Sequence, residues 1–188
     1  SEDSSSPHAQ ALSGAELNSG AHNNLDLQNL QMLVDGAIYT IEFDATDAAG
    51  NDATTVTNTN VTYDVSGPVI NEVIPVTTPG NDQTPNYKFN TSEAGAITYG
   101  PVGVISSSTT DASSGDNTIT FTNQNGGDLP EGTYSTVSVT VTDAAGNESG
   151  YGVSEFVIDI TSPTLAQNAI VVNQSVQPNT ITLTFSES

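Results

Sequence analysis

Carboxylate and amide side chains recur in this sequence at positions where they could bind a hard cation. One five-residue stretch, Asp-Ala-Ala-Gly-Asn, occurs twice, beginning at Asp47 and at Asp143. Ca²⁺ takes roughly 6–8 oxygen ligands from carboxylates, amides and backbone carbonyls. Other carboxylates stand near predicted strand ends or at the junctions of predicted units. The candidate calcium ligands are Asp47, Asn51, Asp64, Glu93, Asp143, Asn147 and Asp159.

The same five-residue stretch also has the composition of a tight turn. Glycine adopts positive φ without steric cost, and Asp and Asn side chains accept hydrogen bonds from nearby backbone amides. The spacing of the candidate ligands does not match an EF-hand loop. The sequence therefore leaves two readings open, a calcium site and a purely structural turn.

The elements that must position these residues are β-strands. Apolar and polar residues alternate in the segments that precede the two stretches, over 39–46 and 134–142, and this alternation predicts half-buried strands. A β-branched segment follows each stretch, which completes a hairpin. Asp143 minus Asp47 is 96 and Pro163 minus Pro68 is 95, so the hairpins belong to an internal repeat. A period near 95 residues suits an immunoglobulin-like β-sandwich, which has about 100.

The repeat predicts an all-β fold of tandem sandwiches whose boundaries do not coincide with the chain ends. Residues 67–161 read as a complete unit, in which Tyr134 opens the penultimate strand at the position of a tyrosine corner. Residues 1–66 read as a unit that lacks its first two strands. Residues 162–188 read as the first two strands of a further unit, because Thr180–Phe185 with Ser186-Glu187 matches 87–93.

Two consequences of this split remain open. The chain is one period of a longer tandem array, or residues 162–188 complete the 1–66 unit of a neighbouring copy. A frayed fragment without such a role is the simplest alternative. Shorter elements are predicted near the beginning, namely a strand over 9–12, a helical turn over 13–17 and a strand over 24–30.

The charge balance narrows the classes of partner. The chain has one lysine, no arginine and 22 acidic residues, for a formal net charge of −21. Phosphate binding needs Lys and Arg, so nucleic acid is not an expected partner. The acidic surface is either offset by divalent cations or simply keeps a secreted protein soluble. No apolar segment reaches transmembrane length, so no membrane insertion is expected in this segment.

Catalytic chemistry is not expected. The chain lacks cysteine, which excludes disulfides and thiolate metal sites. His8 and His22 match no catalytic triad or metal-binding spacing, and no glycine-rich phosphate loop follows a strand. Lys88 could form an isopeptide bond only if it were buried beside an acid and an Asn, and strand alternation instead points it away from the face that bears Tyr87 and Phe89.

The chain resembles bacterial immunoglobulin-like repeats of the Big type. The motifs that carry the resemblance are DATDAAGN at 44–51, VTYD at 61–64 followed by Pro68, and TSEAG at 91–95 followed by ITYG at 97–100. Such repeats occur in tandem in large secreted or surface-anchored adhesins and in extracellular stalks. The resemblance implies a secreted or cell-surface location and ions that stiffen the junctions between units.

The resemblance also implies a structural role, in which units join head-to-tail to copies of themselves or to neighbouring repeats. The other functional class is a module that binds a glycan or another surface ligand through its loops. Some relatives carry a Cys pair near positions 105 and 137. Here Ile105 and Val137 occupy these positions, so packing must replace that disulfide.

Overall fold

The computed structural model describes residues 4–5, 7–9, 11, 33–173 and 180–186. Within these ranges every regular element is a β-strand, which confirms the predicted all-β class. In the same ranges no helix is long and apolar enough to cross a membrane. The predicted elements over 13–17 and 24–30 lie outside the described residues, and Ala9 and Ala11 of the predicted strand over 9–12 are irregular.

Contacts between residues divide the chain into two compact units. The first unit contains Ser1–Pro68 with Thr142–Glu148, and the second contains Val69–Val141 with Ser149–Ser188. This division follows contacts alone, so the predicted boundaries at residues 66 and 161 stay predictions.

The first unit contains one antiparallel hairpin of strands β1 (Ala37–Phe43) and β2 (Val56–Tyr63). The return strand agrees with the prediction, but the outgoing strand ends before Thr46. Beyond Phe43 the regular ladder stops, and the backbone pairs again at an isolated bridge between Thr46 and Asp52. Thr46 Oγ1 donates to Asp52 Oδ1 over 2.7 Å, and Thr55 Oγ1 donates to Asp44 Oδ1. These side-chain bonds join the two arms of the hairpin next to its turn, in addition to the backbone bond from Ala53 N to Ala45 O at 2.7 Å.

The remaining strands lie in the second unit, except for residues Thr142 and Glu148 at the turn that joins two of them. Their bounds are β3 Ile70–Ile74, β4 Asn86–Thr91, β5 Gly95–Gly100, β6 Asp111–Ala112, β7 Gly115–Thr120, β8 Gly132–Tyr134, β9 Ser138–Thr142, β10 Glu148–Gly152, β11 Phe156–Ile158, β12 Leu165–Asn173 and β13 Thr180–Phe185. Among the described residues these strands form one sheet of order β3-β4-β7, a second of order β10-β9-β5-β6, and the two pairs β11-β8 and β12-β13.

The core of the second unit is a hydrophobic cluster, to which alternate residues of these strands contribute their side chains. In β4, Tyr87 and Phe89 are buried while Lys88 between them is half-buried. Phe121 stacks on Tyr87 with ring centroids 5.4 Å apart and on Phe156 at 6.1 Å. Through Phe121, which follows β7, these aromatic contacts join β4 of the sheet β3-β4-β7 to β11 of the pair β11-β8, which is consistent with a β-sandwich. Ile105 and Val137 both lie in this cluster, in agreement with packing at the positions of the absent disulfide.

The prediction of one continuous strand over 134–142 is wrong. The segment divides into β8 and β9, which pair in different sheets, and its partner divides into β10 and β11 at the same level. At the break the backbone amide and hydroxyl of Ser154 donate to the carboxylate of Glu72, over 3.0 and 2.7 Å. Val153 N still donates to Val137 O at 2.9 Å, so the hairpin stays paired while it passes from one sheet to the other.

The predicted tyrosine corner is present. Tyr134 Oη donates a 2.8 Å hydrogen bond to Pro130 O, four residues upstream. Tyr39, at the corresponding point of the first unit, accepts a 2.8 Å hydrogen bond from Val34 N, five residues upstream. In each unit this bond ties the start of the strand to the connection that precedes it.

A short parallel bridge closes one edge of the second unit. Gly80 N donates to Val157 O at 3.0 Å, and Asp159 N donates to Gly80 O at 2.9 Å. Val157 N in turn donates to Thr78 Oγ1 at 2.8 Å. A segment near the start of the unit is thus bonded side by side with β11.

Candidate metal centre

The turn between β9 and β10 is organised by the carboxylate of Asp143. Its Oδ1 accepts hydrogen bonds from Ala145 N at 2.8 Å and from Asn147 N at 2.9 Å. Its Oδ2 accepts one from Asn147 Nδ2 at 3.0 Å. Gly146 adopts a φ of 94°, which a residue with a side chain adopts at a cost. The structural reading of the Asp-Ala-Ala-Gly-Asn stretch therefore accounts for these bonds.

The turn that begins at Asp47 makes the same bonds. Asp47 Oδ1 accepts from Ala49 N and from Asn51 N, and Oδ2 accepts from Asn51 Nδ2, each at 2.9 Å. Gly50 has a φ of 89°. The two carboxylates differ in exposure, since Asp47 is exposed whereas Asp143 is buried.

The hydrogen bonds set the charge state of both carboxyl groups. For Asp143, burial favours the neutral form, but the donors from Asn147, Ala145 and Gly146 prevail and lower its pKa below the ordinary 3.8. For Asp47, the Asn51 side chain makes the largest contribution to a pKa that is also lowered. Both groups are therefore ionised at neutral pH.

The carboxylates of Asp64, Glu93 and Asp143 form an acidic cluster. One oxygen of each lies within 4.8 Å of the others. Asp64 and Glu93 are half-buried, and Asp143 is buried. Three negative charges at this separation repel one another, so a cation among them lowers the electrostatic energy. The cluster could hold a metal ion through oxygen ligands of the kind that hard divalent cations prefer.

Each member of the cluster also has a local role. Asp64 Oδ1 accepts a 3.2 Å hydrogen bond from Ser66 N. Thr91 Oγ1 donates a 3.0 Å hydrogen bond to the backbone carbonyl of Glu93. This bond does not involve the Glu93 carboxylate. An ionised carboxylate has about four acceptor positions. The three bonds within its turn therefore leave Asp143 able to contribute to an ion as well.

The remaining predicted ligands occupy other surroundings. Asn147 contacts the cluster, but as a donor, because its Nδ2 also bonds the backbone carbonyl of Asp64 at 3.3 Å. Asp47 and Asn51 are engaged in their own turn. Asp159 Oδ1 accepts a 3.1 Å bond from Thr161 N and is not a member of the cluster. Glu187, which follows Ser186 as Glu93 follows Ser92, lies outside the described residues.

Lys88 lies outside the acidic cluster and is paired on the surface of the β3-β4-β7 sheet. Its Nζ is 2.7 Å from Asp116 Oδ2, with the two side chains 30% and 48% exposed. Asn90 Nδ2 donates to the other carboxylate oxygen at 2.8 Å. Lys88 first and then Asn90 lower the pKa of Asp116. An exposed pair of this kind contributes little to stability, about 0–1 kcal/mol.

Comparisons with known proteins assign no family. The chain matches no protein-family model, and it matches none of the curated proteins.

Proposed function

We propose that this chain is a structural extracellular protein whose β-sandwich units form a linear string, as in an adhesin stalk or a surface fibre. The units are tandem immunoglobulin-like sandwiches of the bacterial repeat type, joined head-to-tail by strand complementation or by tandem repetition. The observation that carries the proposal is the recurrence of one set of hydrogen bonds in both sequence repeats, about 95 residues apart.

The recurrence extends well beyond the two turns. At the exit from the last strand, Ser66 N donates to Asp64 Oδ1 as Thr161 N donates to Asp159 Oδ1. At the entry to the preceding strand, Asp35 accepts from Ser66 Oγ, and the equivalent Glu131 accepts from Thr161 Oγ1. Together with Tyr39 and Tyr134, these bonds tie the same points of each unit. A repeated frame of this kind supports a spacer or stalk function.

We propose Ca²⁺ as the ion for the acidic cluster. The chain carries 22 acidic residues against one lysine, so its surface repels itself, and divalent cations offset such repulsion. Carboxylate oxygens are the ligands that Ca²⁺ prefers, and soft metals would call for sulfur or imidazole ligands. An ion that binds the folded state and not the unfolded state would stabilise the chain, and the gain in unfolding free energy would rise with the logarithm of the ion concentration.

Calcium should therefore raise the melting temperature in a way that depends on Asp64 and Glu93. At a calcium concentration about 100 times the Kd, the expected gain is ~2.7 kcal/mol of unfolding free energy. We expect Asp64→Asn and Glu93→Gln to remove most of the calcium-dependent rise, measured by scanning calorimetry with calcium and with a chelator. Asp159→Asn is the matched control, because Asp159 bonds its own exit turn as Asp64 does but lies outside the cluster. An equal calcium response in all three variants would contradict the assignment.

Electron microscopy tests the proposed linear string of sandwiches directly. Two sandwiches of roughly 45 Å each, from strands of about 3–10 residues at ~3.3 Å per residue plus loops, predict an axial repeat of ~90 Å in a fibre. We expect filaments of that repeat, or rods of that length, in negative stain, with stiffness reduced by a chelator. Compact particles without an elongated axis would contradict the structural proposal.

A further inference from the structure

The hairpin β12–β13 is built like the hairpin β3–β4. At the open end of β3–β4, Ser92 N donates to Val69 O at 3.0 Å and Val69 N donates to Ser92 Oγ at 2.8 Å. In β12–β13, Ser186 N donates to Thr164 O at 2.8 Å and Thr164 N donates to Ser186 Oγ at 3.0 Å. These four bonds fix the register, so residues of the two hairpins can be compared position by position.

The two hairpins differ in what covers their apolar face. In β3–β4 the face residues are at most 8% exposed, because they belong to the core of the second unit: Ile70, Tyr87, Phe89 and Thr91. At the matched positions of β12–β13 the residues are 48–67% exposed: Leu165, Ile181, Leu183 and Phe185. The same surface is thus a core face in one hairpin and an uncovered face in the other.

The hairpin β1–β2 also exposes apolar residues whose counterparts in the second unit are buried. Its pair Tyr39↔Val61 matches the pair Tyr134↔Phe156 of β8 and β11. Counting back from the Asp of each turn, Phe43 matches Val139, yet Phe43 is 48% exposed and Val139 is 0% exposed. The core side of this hairpin is therefore uncovered toward its turn, where Ile41, Phe43 and Val56 are 36–64% exposed, while Ala37 at its other end is buried. Within the second unit, residues at these positions share one hydrophobic cluster with the face of β3–β4.

Charge is scarce in the segments that would meet, where the one charged side chain is Glu42 of β1. Residues 160–186 contain no charged side chain, and residues 53–63 contain none, in a chain with a net charge of −21. The cores of protein interfaces are depleted of charged residues, and like charges brought together across an interface oppose binding. This depletion favours an apolar occupant that presents no charge. The core side of β1–β2 fits this description, because Glu42 alternates with Ile41 and Phe43 and therefore lies on the opposite face of the strand.

We propose that the apolar face of β12–β13 binds the core side of β1–β2 in a second copy of this chain. The contact rebuilds between two copies the packing that β3–β4 makes inside the second unit. It rests on the proposed function and names the partner through which the string is joined. Because the two hairpins are different surfaces of one chain, the contact is heterologous and repeats from copy to copy without closing.

Sedimentation velocity of the full chain over a range of concentrations tests this contact. We expect the mass to rise above the 19.3 kDa of one chain as concentration increases. Leu183→Asp places a charge on the apolar face of β13 and should weaken association at least about tenfold. Thr182→Asp adds the same charge to the other face of the same strand, since neighbouring residues of a strand point to opposite faces, and should leave association unchanged.

A mixing experiment separates loss of binding from loss of folding. Leu183→Asp keeps an intact β1–β2, and Phe43→Asp keeps an intact β12–β13, so each variant alone should sediment as a monomer. Mixed together they can form one junction and should give a 1:1 dimer and nothing larger. A mixture that stays monomeric overturns the proposal.

The frictional ratio from the same runs distinguishes a failure of docking between copies from a failure of the proposed string of sandwiches. An elongated wild-type chain that remains monomeric at all concentrations overturns docking between copies but leaves the string of sandwiches intact. A compact monomer contradicts the structural function itself. Concentration-dependent growth that Thr182→Asp and Leu183→Asp weaken equally also overturns docking through the apolar face.

Discussion

Replacing Phe156 by alanine should lower the unfolding free energy of the second unit by about 3–5 kcal/mol. Phe156 is fully buried and its ring stacks on Phe121 at 6.1 Å and on Tyr134 at 4.9 Å. The substitution removes the contacts of a whole ring and leaves a cavity that a rigid β framework fills only in part. Since small domains are stable by about 5–15 kcal/mol, this loss brings the unit close to unfolding at ambient temperature.

Urea denaturation followed by tyrosine fluorescence measures this effect. Phe156→Leu, which keeps most of the apolar volume, should recover more than half of the lost free energy. Val102→Ala is the surface control, because Val102 is 89% exposed and its loss should stay within about 0.5 kcal/mol. A Phe156→Ala variant as stable as Val102→Ala would mean that the two sheets are not held together by this ring.

Replacing Asp143 by asparagine should lower the melting temperature by several degrees at neutral pH and flatten its acid dependence. Asparagine keeps one oxygen that can accept from the backbone N–H groups of Ala145 and Asn147, but it places an amide donor opposite the Nδ2 donor of Asn147 and removes the negative charge. The folded-state pKa of Asp143 is below the ordinary 3.8, so its ionised form contributes stability above that pH. This contribution is lost as the pH falls from about 3.8 through the lower folded-state value.

The wild-type and Asp143→Asn melting curves should therefore differ most near pH 7 and converge toward pH 2. Asp47→Asn is the matched variant, because it breaks the same bonds in an exposed turn, where water replaces them at smaller cost. We expect a smaller loss from Asp47→Asn at every pH. Equal losses would indicate that burial of Asp143 adds nothing to its role in the turn.

Alternation and turn chemistry were sufficient to place most strands of this protein. The return strand over 56–63 and the buried face of Tyr87 and Phe89 follow from residue type at a period of two, because packing against a core imposes that period. The tyrosine corner at Tyr134 could be anticipated for the same reason, since it depends on one residue at the start of one strand.

Features that depend on distant contacts could not be predicted in this way. The break in the strand over 134–142 coincides with the contact of Ser154 with Glu72, two residues separated by 82 positions in the sequence. The short strand β6 pairs with β5 over only two residues and has no periodicity to detect. Local pattern carries no information about such partners.

The acidic cluster also could be predicted only in part, because local sequence indicates candidate ligands but not which of them come together. Residue type and position at strand ends identified Asp64, Glu93 and Asp143 as candidates, but they equally identified Asp47 and Asp159, which lie outside the cluster. The side chain of Asn147 was expected to supply oxygen and instead directs its Nδ2 toward Asp64 O. Asp64, Glu93 and Asp143 are far apart in the sequence, so whether their carboxylates come together depends on how three separate turns are placed in space. The local sequence of each turn does not contain that information.

The parallel bridge at Gly80 has a mechanical consequence for the stalk or fibre function proposed above. Tension applied at the two ends of the predicted repeat 67–161 pulls the segment at Thr78–Gly80 and strand β11 in opposite directions along their length. The bonds to Val157 and from Asp159 then resist in shear, so they must rupture together instead of opening one after another. The bridge thus acts as a clamp against stretching, at a point where neither an ion nor a disulfide is needed.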